Sequence, residues 1–485
     1  MPNLKIIANV LGELLLLEAV LLCACLGVGL VYRESPWLSF GLPMALAIVI
    51  GLTFRYVGRD APATITRRDS YLVVSLTWLL FSLVGLFPFL FDGGTQRIAV
   101  AFFESMSGFT TTGATALDHI DALPHALLFW RSLMDWVGGV GIIFFTVAIL
   151  PAMATGEQKM FAVESTGLKI KKLHPRFRTT THWIGGLYVT LTACCCAAYY
   201  FCGMGLFDAV NHAFSTMATG GFSTHDASIG FYHSPLLEWV VTLFMFLGGF
   251  NFTLMYLLLV KRKWRPLWND GELKAYLGLL TGVTVLCWVT LMVADGRGFF
   301  DALRTAAFHV TSLTTTTGFT TEDFMLWPRL LWLPLAFVTA VGACAGSTTG
   351  GIKTVRLLTI WKVTHHEFRH LLHPRAIFPV RVNGMHVGNT VVRNIFVFFI
   401  CYFALTFVGT MLMVMMGLPL LDSVSCCITA LSNVGPGVGY AVGPVDSYAA
   451  YPDAALWLNA FLMLAGRLEI FAILLPFVPE FWRKQ

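Results

Sequence analysis

The sequence predicts an all-α membrane protein: ten transmembrane helices with four re-entrant half-helix loops, arranged with pseudo-fourfold symmetry inside one chain. Three observations predict it. Of the 485 residues 56% are hydrophobic and 12% charged, against about 25% charged in a soluble domain. Ten stretches are apolar and long enough to cross a bilayer. Four of the connections between them repeat one glycine-centred pattern.

A membrane helix needs roughly 20 apolar residues. The qualifying stretches run near Leu4–Tyr32, Trp37–Phe54, Tyr71–Phe91, Leu127–Leu150, Trp183–Cys202, Leu236–Val260, Leu277–Val293, Leu331–Ile360, Val391–Met416 and Leu456–Phe477. The first is too long for a cleavable signal peptide, carries Glu13 and Glu18, and feeds directly into the second. An even number of spans puts both termini on one side.

Basic residues orient the chain, because cytoplasmic loops are enriched in Lys and Arg. Of 32 such residues, 25 fall on one side, including Lys5, Arg55, Lys159, Lys169, Lys171, Lys172, Lys261, Lys353, Arg375 and Lys484. Only Arg33, Arg97, Arg131, Arg297, Arg304 and Arg329 fall on the other, and Arg467 lies within a span. The richer side, with both termini, is expected to be cytoplasmic. The opposite loops carry Asp118, Asp121, Asp226, Asp301, Glu322, Asp323, Asp446 and Asp453, a mildly acidic outer mouth suited to collecting cations. The net charge of +5 therefore reports topology, with no nucleic-acid partner implied. The 11 cysteines form no CxxC pair and read as small buried hydrophobes. Many of the 14 tryptophans stand near span ends, as interfacial anchors do.

The repeated connections are Phe102–Thr115 (FFESMSGFTTTGAT), Asp208–Thr224 (DAVNHAFSTMATGGFST), Asp301–Thr321 (DALRTAAFHVTSLTTTTGFTT) and Asp422–Gly439 (DSVSCCITALSNVGPGVG). Aligned without gaps they superpose Gly113, Gly221, Gly318 and Gly435, with Ser107, Ser215, Ser312 and Thr429 six residues earlier. Successive glycines are 108, 97 and 117 residues apart. The implied units are 61–178, 179–265, 266–375 and 376–485, each a span, a half-helix with an extended loop, and a second span, preceded by an accessory helix pair in 1–60. A loop survives at membrane depth only where it is buried in protein or lines water. Four such loops can aim backbone carbonyls at a common axis and replace the hydration shell of a monovalent cation. The candidate ion-binding residues are Thr111, Thr112 and Gly113; Thr219, Gly220 and Gly221; Thr316, Thr317 and Gly318; and Asn433, Val434 and Gly435. None is a carboxylate, which disfavours a filter built from side-chain charge.

With WRSLMDWVGGVGII (Trp130–Ile143), CAGSTTGGIK (Cys344–Lys353), LLHPRA (Leu371–Ala376) and GRLEI (Gly466–Ile470), these loops make nearly the whole chain resemble the Trk/Ktr/HKT superfamily of potassium translocators, and within it the TrkH type, which shares the two extra N-terminal spans. The resemblance implies potassium as the transported ion and selectivity at the four glycines. Members with serine at the first of these positions tend to admit sodium, so Gly113 argues for potassium. It also implies a homodimer with one pore per protomer, embedded in membrane lipid, above a cytosolic ring of TrkA-type nucleotide-binding subunits. This chain has no glycine-rich strand–turn–helix and no cofactor signature of its own. ATGG in the second loop and NVGPG in the fourth depart from TTTG.

CAGSTTGGIK, with poor helix formers at Gly346, Ser347, Thr348, Thr349, Gly350 and Gly351 ahead of Lys353, is expected to break its span below the filter. The resemblance supports a mobile intramembrane gate there; the alternative is a small-residue helix face of Gly342, Gly346 and Gly350. Arg467, whose repeat equivalents lie just after Gly138–Gly139 and Gly248–Gly249, is expected to face the pore and contact this segment. The alternative is a structural pair with a carbonyl or with Glu469, which two residues on diverges from it along a helix. Arg131 and Asp135, four apart, read as a structural ion pair. His366-Glu367-Phe368-Arg369-His370 is a literal HExxH, but neighbouring cationic residues would repel zinc, so an interfacial or partner-docking helix is the better reading and an intramembrane protease the rival. Potassium symport with protons or sodium is the alternative to a channel.

Overall fold

The structure is a computed structural model and describes residues 2–61, 66–92, 94–144, 174–375, 379–383 and 385–483. The end of the fourth expected span (145–150), together with Lys159, Lys169, Lys171, Lys172, Ala376 and Lys484, lies outside the described residues.

Among the described residues, six helices are long and apolar enough to cross a membrane: Leu4–Val31, Trp37–Gly58, Arg68–Phe91, Trp183–Phe201, Gly271–Ala294 and Asn389–Met415. Two helix pairs are long and apolar enough only when taken together, Pro235–Gly248 with Phe252–Leu259 bent by 102° and Asp453–Arg467 with Phe471–Phe477 bent by 115°. The first break falls at Gly249–Asn251, where Asn251 restarts the helix by accepting from the Thr253 and Leu254 amides. The second falls at Glu469 and Ile470, two consecutive left-handed residues with φ 55° and 63°. His125–Phe144 is an apolar helix that runs up to the edge of the described region.

The expected span at 331–360 is not one helix. Trp332–Ala340 gives way to a two-residue strand, Val341–Gly342, paired in parallel with Ile352–Lys353, and Thr354–Leu372 resumes as helix. Parallel pairing means the chain leaves the line of the span, closes a loop over residues 343–351, and continues in its original direction. Its neck is tight: a methyl on Gly342 would lie 2.1 Å from the Gly350 carbonyl oxygen. With no helix there, the small-residue helix face of Gly342, Gly346 and Gly350 does not exist.

Four shorter helices, Ile98–Phe109, Leu206–Ala218, Phe299–Thr314 and Leu420–Ser432, have 12, 13, 16 and 13 residues. At 1.5 Å per residue they reach about 18–24 Å, short of a hydrocarbon core of about 30 Å. Asp208, Asp301 and Asp422 occupy the first turns of the last three, where a carboxylate offsets the positive end of the helix dipole. The negative ends lead directly into the glycine loops. The N-terminal helix packs against the chain through Leu15, Ala19 and Leu22, in one apolar cluster with Trp78, Phe81 and Trp130.

Candidate ion pathway

The four glycine loops share one backbone. Two residues before each glycine the chain is left-handed: Thr111, Thr219, Thr316 and Asn433 have φ of 51°, 54°, 54° and 55°. The glycines follow at 70°, 85°, 81° and 88°. Between them, the amides of Thr112, Gly220, Thr317 and Val434 donate to the carbonyls of Ser107, Ser215, Ser312 and Thr429 at 2.8, 2.9, 2.9 and 3.1 Å. Chains of differing sequence therefore turn identically.

Their mutual approach closes a ring. A methyl on Gly113 would lie 1.8 Å from the carbonyl oxygen of Gly220, and one on Gly221 1.9 Å from that of Thr317. One on Gly318 would lie 2.2 Å from the carbonyl of Val434, and one on Gly435 2.8 Å from that of Thr112. Each glycine meets the residue before the glycine of the next loop, and the fourth returns to the first. Both a positive φ and the absence of Cβ are required here, conditions only glycine meets without strain. Asn433 adds a side-chain tie, donating from Nδ2 to Thr112 Oγ1 at 3.1 Å and to the Met463 carbonyl at 2.9 Å.

Outside the ring, side chains stitch neighbouring loops together. Buried Glu104 accepts from Thr115 Oγ1 at 2.7 Å and from the Ala116 amide, and lies 3.4 Å from Arg131 Nε. Arg131 donates to the Ser223 carbonyl at 3.0 Å and stacks over Phe222, joining the first loop to the second. Tyr448 donates its hydroxyl to Gly435 O and its amide to Thr115 O, both at 2.9 Å, joining the fourth to the first. A cavity of about 440 Å³ opens above, lined by all four glycines with Asp118, His119, His225, Asp226 and Asp446. Partial burial and the nearby charges of Asp323 and Asp422 push the Asp446 carboxyl up. Burial opposes charge on His225, but its bonds to Asp208 and Asp121 (Nδ1 to Oδ1, 2.6 Å) outweigh that and raise its pKa.

Below the ring sits the 343–351 loop. Thr348 donates to the carbonyls of Met217 and Gly248 at 3.1 and 3.2 Å, and its own hydroxyl receives a bond from Thr219 Oγ1. Gly350 N donates to Thr316 Oγ1 at 2.9 Å, and a methyl on Gly350 would meet the Ser432 carbonyl at 2.2 Å. Arg467, 2% exposed, donates to Thr348 O at 2.8 Å and Gly138 O at 2.9 Å. The loop thus touches the second, third and fourth glycine loops or the helix ends leading into them, and through Arg467 is linked to Gly138 on the helix that follows the first. Lys353 folds back onto the Thr349 carbonyl and hydroxyl, and Ser347 donates to Cys344 O at 2.6 Å. Gly346 O accepts from Phe252 N, at the restart of the broken second-unit helix.

The TrkH family model, described as a cation transport protein, matches residues 41–296 and 300–484. The Trk system potassium uptake protein TrkH of Salmonella typhimurium is 36% identical over 488 residues, covering 99% of this chain and 100% of that one. TrkG of Escherichia coli K12, a Trk system potassium uptake protein, is 33% identical over 486 residues, covering 99% of each. The chain belongs to the TrkH family of cation transport proteins. In three dimensions it matches the crystal structure of the potassium transporter TrkH from Vibrio parahaemolyticus with a TM-score of 0.91 at 34% identity, across 99% of this chain and 100% of that one.

Within this TrkH-family chain the candidate residues of each glycine loop come together, as do Arg467 and the loop it was expected to touch. Arg131 and Asp135 do not pair. Arg131 turns to Glu104, and Asp135 accepts from Ser215 Oγ at 2.9 Å and the Phe222 amide at 3.3 Å. Four-residue spacing puts the two on one helix face, but stronger partners lie across the interface. His366 and His370 stand on Thr354–Leu372, and no group of three or more His, Cys, Asp or Glu among the described residues is placed to hold a metal.

Two anchors escaped sequence reasoning. Glu272, 3% exposed, accepts from the amides of Ala345 (2.6 Å) and Val355 (3.2 Å), clamping both arms of the 343–351 loop through one oxygen. Glu469 pairs with Arg356, whose guanidinium also lies 4.0 Å from the Phe398 ring centroid, so the left-handed break in the last span is tied to the helix leaving the loop. The partners are 73, 83 and 113 residues apart, and no local spacing signals them.

Proposed function

We propose that this protein carries potassium into a bacterial cell across the inner membrane through a gated, selective pore driven by the membrane potential. The observation that carries the reading is the closed ring of left-handed loops at Gly113, Gly221, Gly318 and Gly435, in which each glycine approaches a carbonyl of the next loop. Carbonyls of residues 111–113, 219–221, 316–318 and 433–435 form the ion sites in place of water. The negative ends of four half-helices add favourable potential for a cation. The names of the relatives, potassium uptake proteins and a potassium transporter, support potassium as the ion.

The residues Gly346–Gly351, Lys353 and Arg467 serve as the gate; the docking of this loop against Thr219 and Thr316 of the ring and onto Arg467 supports that reading. The pore is pseudo-fourfold, with units 61–178, 179–265, 266–375 and 376–485 after an accessory pair in 1–60, ten spans in all and both termini cytoplasmic. A homodimer and cytosolic TrkA-type nucleotide-binding subunits complete the assembly. A potential of about 150 mV supplies about 3.5 kcal/mol per charge, roughly 300-fold accumulation without ATP.

Rubidium uptake tests the ring. Replacing each of the four glycines with valine is expected to abolish it, and undiminished uptake in all four variants would reject the filter. Reversal potentials in proteoliposomes test the gradient: a channel follows potassium alone, whereas dependence on protons or sodium would establish symport.

A further inference from the structure

The four loops hold the position just before the glycine in different ways. In the first and third it is a threonine, Thr112 or Thr317, whose hydroxyl lies 2.8 Å from that of Thr110 or Thr315, two residues back on the same loop. In the fourth it is Val434, fully buried in an apolar cluster with Val310, Leu313 and Val438. In the second it is Gly220, and the residue two back is Ala218, so that loop supplies neither a hydroxyl nor an apolar anchor. An unbraced glycine in a left-handed turn is the most mobile backbone available, yet its carbonyl is the one Gly113 approaches.

The space is filled from another element. Asp135, fully buried on His125–Phe144, sits behind Gly220: a methyl there would come 2.3 Å from Asp135 Cγ and 2.4 Å from Oδ2. The same Oδ2 accepts from Ser215 Oγ, the residue aligned with Ser107 and Ser312, and from the Phe222 amide immediately after Gly221. One carboxylate therefore bonds the second loop on both sides of its glycine pair and occupies the volume its missing side chain leaves.

We propose that Asp135 is a positioning residue for ion selection, a side chain lent by the first repeating unit to brace the second filter loop in place of the threonine pair that braces the first and third. The inference rests on the filter reading above. It makes the departure of ATGG from TTTG a compensated exchange: Gly220 is glycine because Asp135 is there. Shape and hydrogen-bond acceptance carry the role, so an amide of the same size serves as well.

The test is rubidium flux into proteoliposomes of full-length protein, with and without competing sodium. Asp135→Ala is expected to lower discrimination against sodium about tenfold, the equivalent of one or two lost buried hydrogen bonds. Asp135→Asn keeps it. Gly220→Thr alone is impaired by the collision with Asp135, and the triple variant D135A/A218T/G220T, which rebuilds the threonine pair, recovers selectivity. Wild-type discrimination in a well-folded D135A protein overturns the proposal. So does a loss in D135N equal to that in D135A, or a triple variant no better than G220T. Gly113→Val separates the two levels: if it leaves uptake intact the filter reading fails, whereas if it abolishes uptake while D135A selects normally, only this inference fails.

Discussion

The glycine ring and the loop packed beneath it, both non-helical backbone, are held in different ways. The ring is held by the main chain: the same amide-to-carbonyl turn four times, the same pair of positive φ angles, and contacts at which even one carbon cannot be added. The 343–351 loop is tied by backbone bonds at Cys344 and Gly346, but its remaining anchors are side chains reaching in from elsewhere, chiefly Arg467, Thr219, Thr316 and Glu272. Backbone closure leaves no alternative arrangement of similar energy. A loop docked by a handful of side-chain bonds, each worth about 0.5–3 kcal/mol, can exchange one set for another. On the function proposed above, the contrast teaches that selection and control are separated by kind of contact as well as by place in the chain.

The largest expected effect would come from breaking the ring. Gly113→Val or Gly221→Val places a branched side chain at positive φ against a carbonyl, costing about 3 kcal/mol or more, so rubidium uptake should fall on the order of 100-fold or further. Uptake near wild type would show the ring to be deformable after all. Next is Arg467→Ala, which deletes two bonds from a charged donor, each worth about 1.5–3 kcal/mol. Basal flux from liposomes without any partner subunit should rise about tenfold or more, with selectivity kept; a fall in flux would mean Arg467 supports the pore rather than bars it.

A smaller effect sharpens the same contrast. Glu272→Ala frees both arms of the loop and should raise basal flux several-fold, whereas Glu272→Gln, which retains the accepting oxygen, should stay close to wild type. Equal behaviour of the two variants would separate Glu272 from loop docking.

The smallest effect lies at the cavity above the ring, where His225 ties Asp121 to Asp208 and stacks on Phe231, with Asp226 and Tyr232 beside it. Because the folded pKa of His225 is raised, its ion pairs stabilise fully below the unfolded value of about 6.5. That contribution is lost as pH rises through the higher folded value. With Asp121 about half exposed and Asp208 only partly so, it amounts to about 0.5–1 kcal/mol. The melting temperature of wild type in detergent should exceed that of His225→Gln at pH 6, and the gap should close at alkaline pH. A gap that is constant with pH would assign the effect to ring stacking.

Much of the candidate pathway was legible along the chain because it repeats. Four glycines at similar spacing, each after a half-length apolar segment, can be aligned by eye, and Gly346–Gly351 declares itself through a run of residues that no helix favours. Arg467 stood out because charge deep in a span is costly. Asp135 was misread for the converse reason: four-residue spacing to Arg131 offered a local partner, and local patterns say nothing of a competitor 80 residues on at Ser215. Glu272 and Glu469 carried no signal either, since acidic residues near span ends are ordinary.

Composition and repetition by themselves determined the membrane class, the four equivalent loops and the depth of the break at Cys344–Lys353, because hydrophobicity and helix propensity are properties of short segments. Only the tertiary structure decided the closing of the ring, the seating of the broken loop against it, and the assignment of Asp135 to the second loop. Those outcomes depend on which buried donor meets which acceptor across more than 70 residues of chain, a competition settled by packing and by the cost of leaving a buried polar group unpaired.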